Sequence, residues 1–176
     1  MQEASKRNRP AVIFDRDGVL NVDHGYVVEP RQLEWVAGAR RAVADLNGAG
    51  VVVIVATNQS GVARGYFDLA AVDRFHEAMQ ADLARDGGRI DAFYVCPFHP
   101  DASVEQFRRL DHPDRKPNPG MILRALEDWA IEPGRALVIG DASSDLEAAR
   151  SAGVAGALFR GGDLSVFIAS LRVPWA

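Results

Sequence analysis

Ala11-Val12-Ile13-Phe14-Asp15-Arg16-Asp17-Gly18-Val19-Leu20-Asn21 is the stretch whose reading decides the fold. Residues 11–14 make an apolar run of strand length, and two aspartates follow where the run stops. Side chains alternate across an extended backbone, so Asp15 and Asp17 share a face and can converge beyond the strand end. Gly18 then gives the chain freedom to turn away. Two close carboxylates repel each other, and a divalent cation relieves that repulsion. Asp-x-Asp pairs also decorate ordinary surface turns, so the meaning of this one depends on partners elsewhere.

Further strand signals lie outward from it. Val51–Ala56 is a continuous β-branched run, the pattern of a strand buried on both faces. Ile90–Val95, Ala136–Gly140 and Ala155–Phe159 read as three more. Helices are predicted between them. One covers Ala39–Leu46 and stops at Asn47-Gly48. Another is capped by Asp68 and runs to about Arg85, with Leu69, Val72, Phe75, Met79 and Leu83 as an apolar stripe. Three more are predicted from Pro119 to Trp129, from Ser144 or Asp145 to Ala152, and from Leu164 to Leu171. Strands alternating with helices predict an α/β fold, a central parallel sheet with helices on both faces. About 40 residues separate Asp17 from Thr57, enough for one loop and one helix and too few for a large cap domain.

The totals bound the function. A chain of 176 residues suits one domain, read as residues 11–176 behind a basic N-terminal tail over 1–10 (Lys6, Arg7, Arg9). No apolar h-region follows that tail, so no signal sequence is expected. The net charge of −4 offers no general attraction to nucleic acid or anionic membranes. A lone cysteine, Cys96, excludes an intramolecular disulfide and fits a reducing compartment; a cytoplasmic monomer is expected.

Ligand sites in parallel sheets lie beyond the carboxyl ends of the strands. Asp15 and Asp17, Thr57 and Asn58, and Asp141 all stand at such ends. Taken singly, each has a structural alternative: a strand-end hydroxyl bonded to its own backbone for Thr57, solvated charge for Lys116, a helix N-terminus for Asp141-x-x-x-Asp145. Three strands ending in reactive or acceptor groups point to one site.

Asp15-x-Asp17-Gly18, Thr57, Lys116 and Gly140-Asp141-x-x-x-Asp145 resemble the four motifs of the haloacid dehalogenase superfamily, whose fold is Rossmann-like. Three longer segments narrow the match: Asp15 to Val27, Thr57 to Gly65, and Arg115-Lys116-Pro117-x-Pro119-Gly120-Met121. They resemble the heptose bisphosphate phosphatases, with the histidinol-phosphate phosphatases as nearest relatives. The resemblance runs from about Ala11 to Phe159. It implies an enzyme that dephosphorylates a small phosphorylated sugar, D-glycero-D-manno-heptose 1,7-bisphosphate at C7, through an aspartyl-phosphate. Histidinol phosphate or another small phosphorylated metabolite is the alternative substrate. A receiver-type signalling domain is disfavoured because its phosphorylated aspartate follows the third strand.

By this resemblance Asp15 is the nucleophile and Asp17 the general acid and base, while Thr57 and Lys116 hold the phosphoryl oxygens. Mg²⁺ is held by Asp15, the backbone carbonyl of Asp17 and Asp141. Asp145 anchors the loop carrying Asp141. Asp23, His24, Gly25 and Tyr26 contact the sugar, and Asn58, Gln59 and Ser60 offer donors to hydroxyls or to a second phosphate. Arg64 and Arg115 suit the distal phosphate, since guanidinium makes planar bidentate contacts.

The chain departs from these relatives twice. Their zinc loop, Cys-x-His then Cys-x-Cys, is here Cys96-Pro97-Phe98-His99 and His112-Pro113-Asp114. Cys96, His99, His112 and Asp114 are each legitimate zinc ligands, but structural zinc favours thiolate-rich sets. Stoichiometric zinc is therefore not expected, and a loop held by prolines and packing, with Phe98 buried, is. The second departure is Ala142, which stands where the relatives often place a phosphate-facing lysine.

Overall fold

The computed structural model describes residues 9–173. Most of the basic segment over 1–10 lies outside the described residues. Pro10 already belongs to the sheet region, since its carbonyl accepts the Val52 N–H at 2.9 Å. Five strands, β1 (Ala11–Phe14), β2 (Val52–Asn58), β3 (Ala92–Cys96), β4 (Ala136–Gly140) and β5 (Ala155–Leu158), form one parallel sheet in the order β3-β2-β1-β4-β5. Among the described residues six α-helices accompany them: α1 (Ala39–Gly48), α2 (Ser60–Ala63), α3 (Leu69–Leu83), α4 (Gly120–Asp128), α5 (Ser143–Ser151) and α6 (Leu164–Ser170).

The central strands are apolar throughout because both faces are covered. Val12, Phe14, Val53 and Val55 pack with α1, α3 and α6, whereas Ile13, Ile54, Ala56 and Val138 pack with α4 and α5. Burying a side chain such as Phe14 or Ile13 contributes roughly 1.5–3 kcal/mol. Strand order reverses at β1, which has β2 on one side and β4 on the other. A crevice opens beyond the carboxyl ends at such a reversal. Asp15 follows β1 and Asp141 follows β4, so the fold delivers both to it.

Two predicted strand boundaries move, each for a local reason. β2 runs on to Asn58, whose register partner is Cys96. β3 starts at Ala92 instead of Ile90, and the Asp91 side chain takes the Val53 N–H at 2.9 Å. On α3, Asp68 caps as predicted, accepting the Ala71 N–H at 2.8 Å. Val72, Phe75, Met79 and Leu83 are fully buried, but Leu69 at the first turn is exposed and is not part of the stripe's core. No helix among the described residues is long and apolar enough to cross a membrane.

Candidate active site

Lys116 ties the strand tips together. Its Nζ lies 2.8 Å from Asp15 Oδ1 and 2.6 Å from Asp145 Oδ1, and donates to the Ala56 carbonyl at 2.8 Å. Burial alone would lower the ammonium's pKa, but Asp15 and Asp145 more than offset it and hold the group above its ordinary value. Asp15 takes its place by donating its own N–H to Ile139 O at 2.9 Å. Burial pushes its carboxyl up to about 6, while the Lys116 charge pulls down and the Asp145 charge pushes further up.

Carboxylate oxygens of Asp15, Asp141 and Asp145 lie within 4.8 Å of one another. Burial and the neighbouring Asp145 raise the Asp141 pKa. Two glycines permit this crowding. A side chain at Gly18, which has φ +82°, would collide with the Asp141 carboxylate, and one at Gly140 would collide with Asp145. Hard oxygen donors in this number suit Mg²⁺. Asp145 is already committed: besides Lys116 it accepts the Ala142 N–H at 3.0 Å, which fits a loop anchor. Asp15 and Asp141 are the carboxylates left to face an ion.

Asp17 is gripped from three sides. Arg16 donates to it through Nε at 3.1 Å and Nη2 at 2.9 Å, Asn21 Nδ2 at 2.9 Å and Gln59 Nε2 at 2.9 Å. Arg16, between the two aspartates, is completely buried. Its guanidinium also donates to Val27 O at 2.7 Å and sits 4.7 Å over the Phe75 ring. Its Nη1 lies 3.3 Å from His76 Nε2. His76 is buried on α3 and stacks on Phe93, 4.0 Å between ring centroids. Burial, then the Arg16 charge, lower its pKa to about 3, so the ring stays neutral and Nε2 accepts.

Other predicted site residues divide into two groups. A cleft of about 470 Å³ is lined by Asp15, Asp17, Asp23, Gly25, Tyr26, Thr57, Asn58, Gln59, Ser60, Lys116 and Asp141. Within it the Asn58 amide is spent on the Lys116 backbone, donating to its carbonyl at 3.0 Å and accepting its N–H at 3.1 Å. Gln59 Nε2 bridges Asp17 and Thr57 Oγ1, both at 2.9 Å. Asn58 and Gln59, read as donors to sugar hydroxyls, therefore hold Lys116, Asp17 and Thr57 in place. His24 turns away to Glu34, at 2.7 Å, and does not line the cleft. Nor do Arg64 and Arg115.

Among the described residues no three of Cys96, His99, His112 and Asp114 bring ligand atoms within 4.8 Å of each other. Each of three has another partner: His112 stacks on Phe98 at 3.8 Å, His99 Nδ1 accepts the Asp101 N–H, and Asp114 pairs with Arg124. Phe98, expected to be buried, is half-buried in that stack.

Residues 114–166 match the family model described as HAD-hydrolase-like. The chain is 42% identical over 171 residues to the D-glycero-β-D-manno-heptose-1,7-bisphosphate 7-phosphatase of Rhodopseudomonas palustris, covering 97% of this chain and 94% of that protein. The chain belongs to the heptose bisphosphate phosphatase family. Members of this family are phosphoric monoester hydrolases of the haloacid dehalogenase class. The Escherichia coli (strain K12) family member is 42% identical over 145 residues, 82% of this chain and 75% of that protein. A crystal structure of the D,D-heptose 1,7-bisphosphate phosphatase from B. bronchiseptica, complexed with magnesium and phosphate, superposes with a TM-score of 0.78 at 36% identity. The superposition covers 94% of this chain and 88% of that one.

Proposed function

We propose that this chain is a Mg²⁺-dependent phosphatase that removes the C7 phosphate from D-glycero-β-D-manno-heptose 1,7-bisphosphate. The observation that carries the proposal is Asp15 held between Lys116 and the Asp141–Asp145 pair at the sheet's reversal point. The family likeness supplies the substrate.

Mg²⁺ held by Asp15, Asp141 and the Asp17 backbone carbonyl would offset the repulsion between an anionic nucleophile and an anionic phosphate. The protein's groups do the rest. An Asp15 oxygen attacks phosphorus, forming an aspartyl-phosphate as the bond from phosphorus to the C7 oxygen breaks. Asp17 delivers the proton that the leaving oxygen needs. A water then attacks the same phosphorus, Asp17 takes its proton back, and inorganic phosphate leaves with the Asp15 carboxylate restored. Lys116 and Thr57 neutralise and bond the phosphoryl oxygens, where transition-state charge is spread. Arg16, Asn21 and Gln59 fix the Asp17 carboxylate for both transfers.

Of the predicted sugar contacts, Asp23, Gly25, Tyr26 and Ser60 line the cleft with side chains or backbone not already committed to the catalytic groups. Among the described residues no cap domain covers the cleft, so a sugar larger than its phosphate can project from it. A panel of phosphorylated compounds tests the proposal: the heptose bisphosphate should give the highest kcat/KM, and Asp15→Asn should abolish turnover of every substrate while leaving the circular dichroism spectrum unchanged. A histidinol phosphate preference would contradict the substrate, and activity retained by Asp15→Asn would contradict the mechanism.

A further inference from the structure

We infer that His76 is a positioning residue: it fixes the plane of the Arg16 guanidinium, and through Arg16 the orientation in which Asp17 gives and takes its proton. This rests on the phosphatase function proposed above.

A guanidinium carries its N–H donors in one plane and has no acceptor. The Nε–Nη2 edge of Arg16 holds both oxygens of Asp17, Oδ1 at 3.1 and 3.0 Å and Oδ2 at 2.9 Å. Nη2 also donates to Val27 O at 2.7 Å. That leaves Nη1, whose hydrogen-bond partner among the described residues is His76 Nε2, at 3.3 Å. Arg16 can only donate, so Nε2 is the ring's lone-pair nitrogen and the ring hydrogen sits on Nδ1. Asp17 and Val27 fix one edge of the guanidinium, and His76 fixes the end away from it. Without that second hold the group can swing about its gripped edge, and the Asp17 carboxylate with it.

His76 is itself held firmly enough to serve. The residue is 5% exposed, and its ring stacks on Phe93 of β3 with centroids 4.0 Å apart and planes within 11° of parallel. Its neighbour on α3, Phe75, lies under the guanidinium face at 4.7 Å, so one helix restrains Arg16 both in its plane and from the side. Burial and the Arg16 charge keep the imidazole neutral, so the Nε2 lone pair stays available. Contacts thus run from Phe93 to His76 to Arg16 to Asp17, and of these residues Asp17 lines the cleft. Packing alone does not ask for this arrangement. An apolar side chain on α3 would spare the cost of burying an imidazole, but it would leave a buried Arg16 N–H unpaired. An imidazole meets both demands, since it stacks flat and accepts in the plane of its ring. Orientation matters here because Asp17 must meet first the C7 oxygen and then a water, and a misplacement of about 1 Å can cost roughly a hundredfold in rate.

The test uses wild type, His76→Phe and His76→Leu, which lose the acceptor, and His76→Gln, which keeps one. His76→Phe retains a ring to stack on Phe93 and His76→Leu does not, and circular dichroism checks each fold. Every protein is assayed on heptose 1,7-bisphosphate, whose alkoxide needs a proton to leave, and on p-nitrophenyl phosphate, whose nitrophenolate leaves without one. kcat/KM reports the steps up to phosphoryl transfer. On the bisphosphate it should fall about tenfold or more in His76→Phe and His76→Leu and recover in His76→Gln. On the aryl phosphate it should hardly change, while nitrophenolate appears as a burst stoichiometric with enzyme, because the aspartyl-phosphate then waits for its water to be deprotonated. Equal losses on both substrates, or a His76→Gln no better than His76→Leu, would mean that His76 only packs. No loss on either would mean that Asp17 is oriented without it. Each of these results overturns the inference and leaves the phosphatase function standing, whereas a wild type that turns over neither compound overturns that function instead.

Discussion

Arg16 and His76 show what a side chain can do at this site without touching substrate. The Arg16 guanidinium spends its donors on Asp17, Val27 O and His76, and a buried cation with all of these partners holds the Asp17 carboxylate to one orientation. Its dependence on a neutral imidazole has a measurable consequence. In the folded chain His76 titrates at about 3, against 6.5 for the unfolded residue. The unfolded chain therefore binds a proton first as pH falls. The stability this residue contributes is complete above pH 6.5 and drains away between 6.5 and about 3. At pH 5 the loss from His76 is about 2 kcal/mol. Urea unfolding of wild type from pH 7 to pH 5 should show it, and His76→Leu should be less stable at pH 7 but largely free of that slope. Equal slopes in the two proteins would mean that His76 is protonated in the fold.

Neither residue was legible in the sequence. Arg16 stood between two acids, where a charge run reads as a solvated turn, and His76 lay beside an apolar stripe with nothing to mark it. Asp15, Asp141 and Lys116 were legible because each stands at a strand end or in a motif, and strand ends in a parallel sheet converge.

Elements, more than single residues, deliver Lys116. It lies at the end of the long irregular segment after β3, and its backbone is clasped by the Asn58 amide at the tip of β2. The strands and main helices could be read from apolar runs and caps, but this clasp could not, because it joins two segments 58 residues apart. α2 escaped for a different reason: four residues are too few for a helical period to show. Asn58→Ala should leave a backbone N–H and carbonyl of Lys116 unpaired, costing about 1–3 kcal/mol of stability. A misplaced Lys116 should also lower kcat about tenfold or more, because it can no longer meet the phosphoryl charge in register. Calorimetry and steady-state rates check the two parts. Unchanged stability together with unchanged kcat would show that β2 does not position Lys116.

At the scale of the whole molecule, one topological fact organises the rest. Reversal of strand order at β1 sets Asp15 beside the tip of β4, so a carboxylate that follows the first strand meets Asp141 and Asp145, which follow the fourth. The α/β class and the parallel sheet followed from the alternation of strands and helices, whereas the order of the strands did not, since periodicity says nothing about neighbours. The two glycines then let the acidic groups close to within 4.8 Å. In the function proposed above, this geometry serves a single event, the passage of a phosphoryl group onto Asp15.

The measurement that tests this most directly is acid quenching of wild-type enzyme during turnover of heptose 1,7-bisphosphate, followed by peptide mass spectrometry. The account predicts one phosphoryl group on the peptide containing Asp15, acyl-linked and lost on treatment with hydroxylamine. A phosphoryl group on another residue, or turnover with none trapped on Asp15 at any quench time, would contradict it.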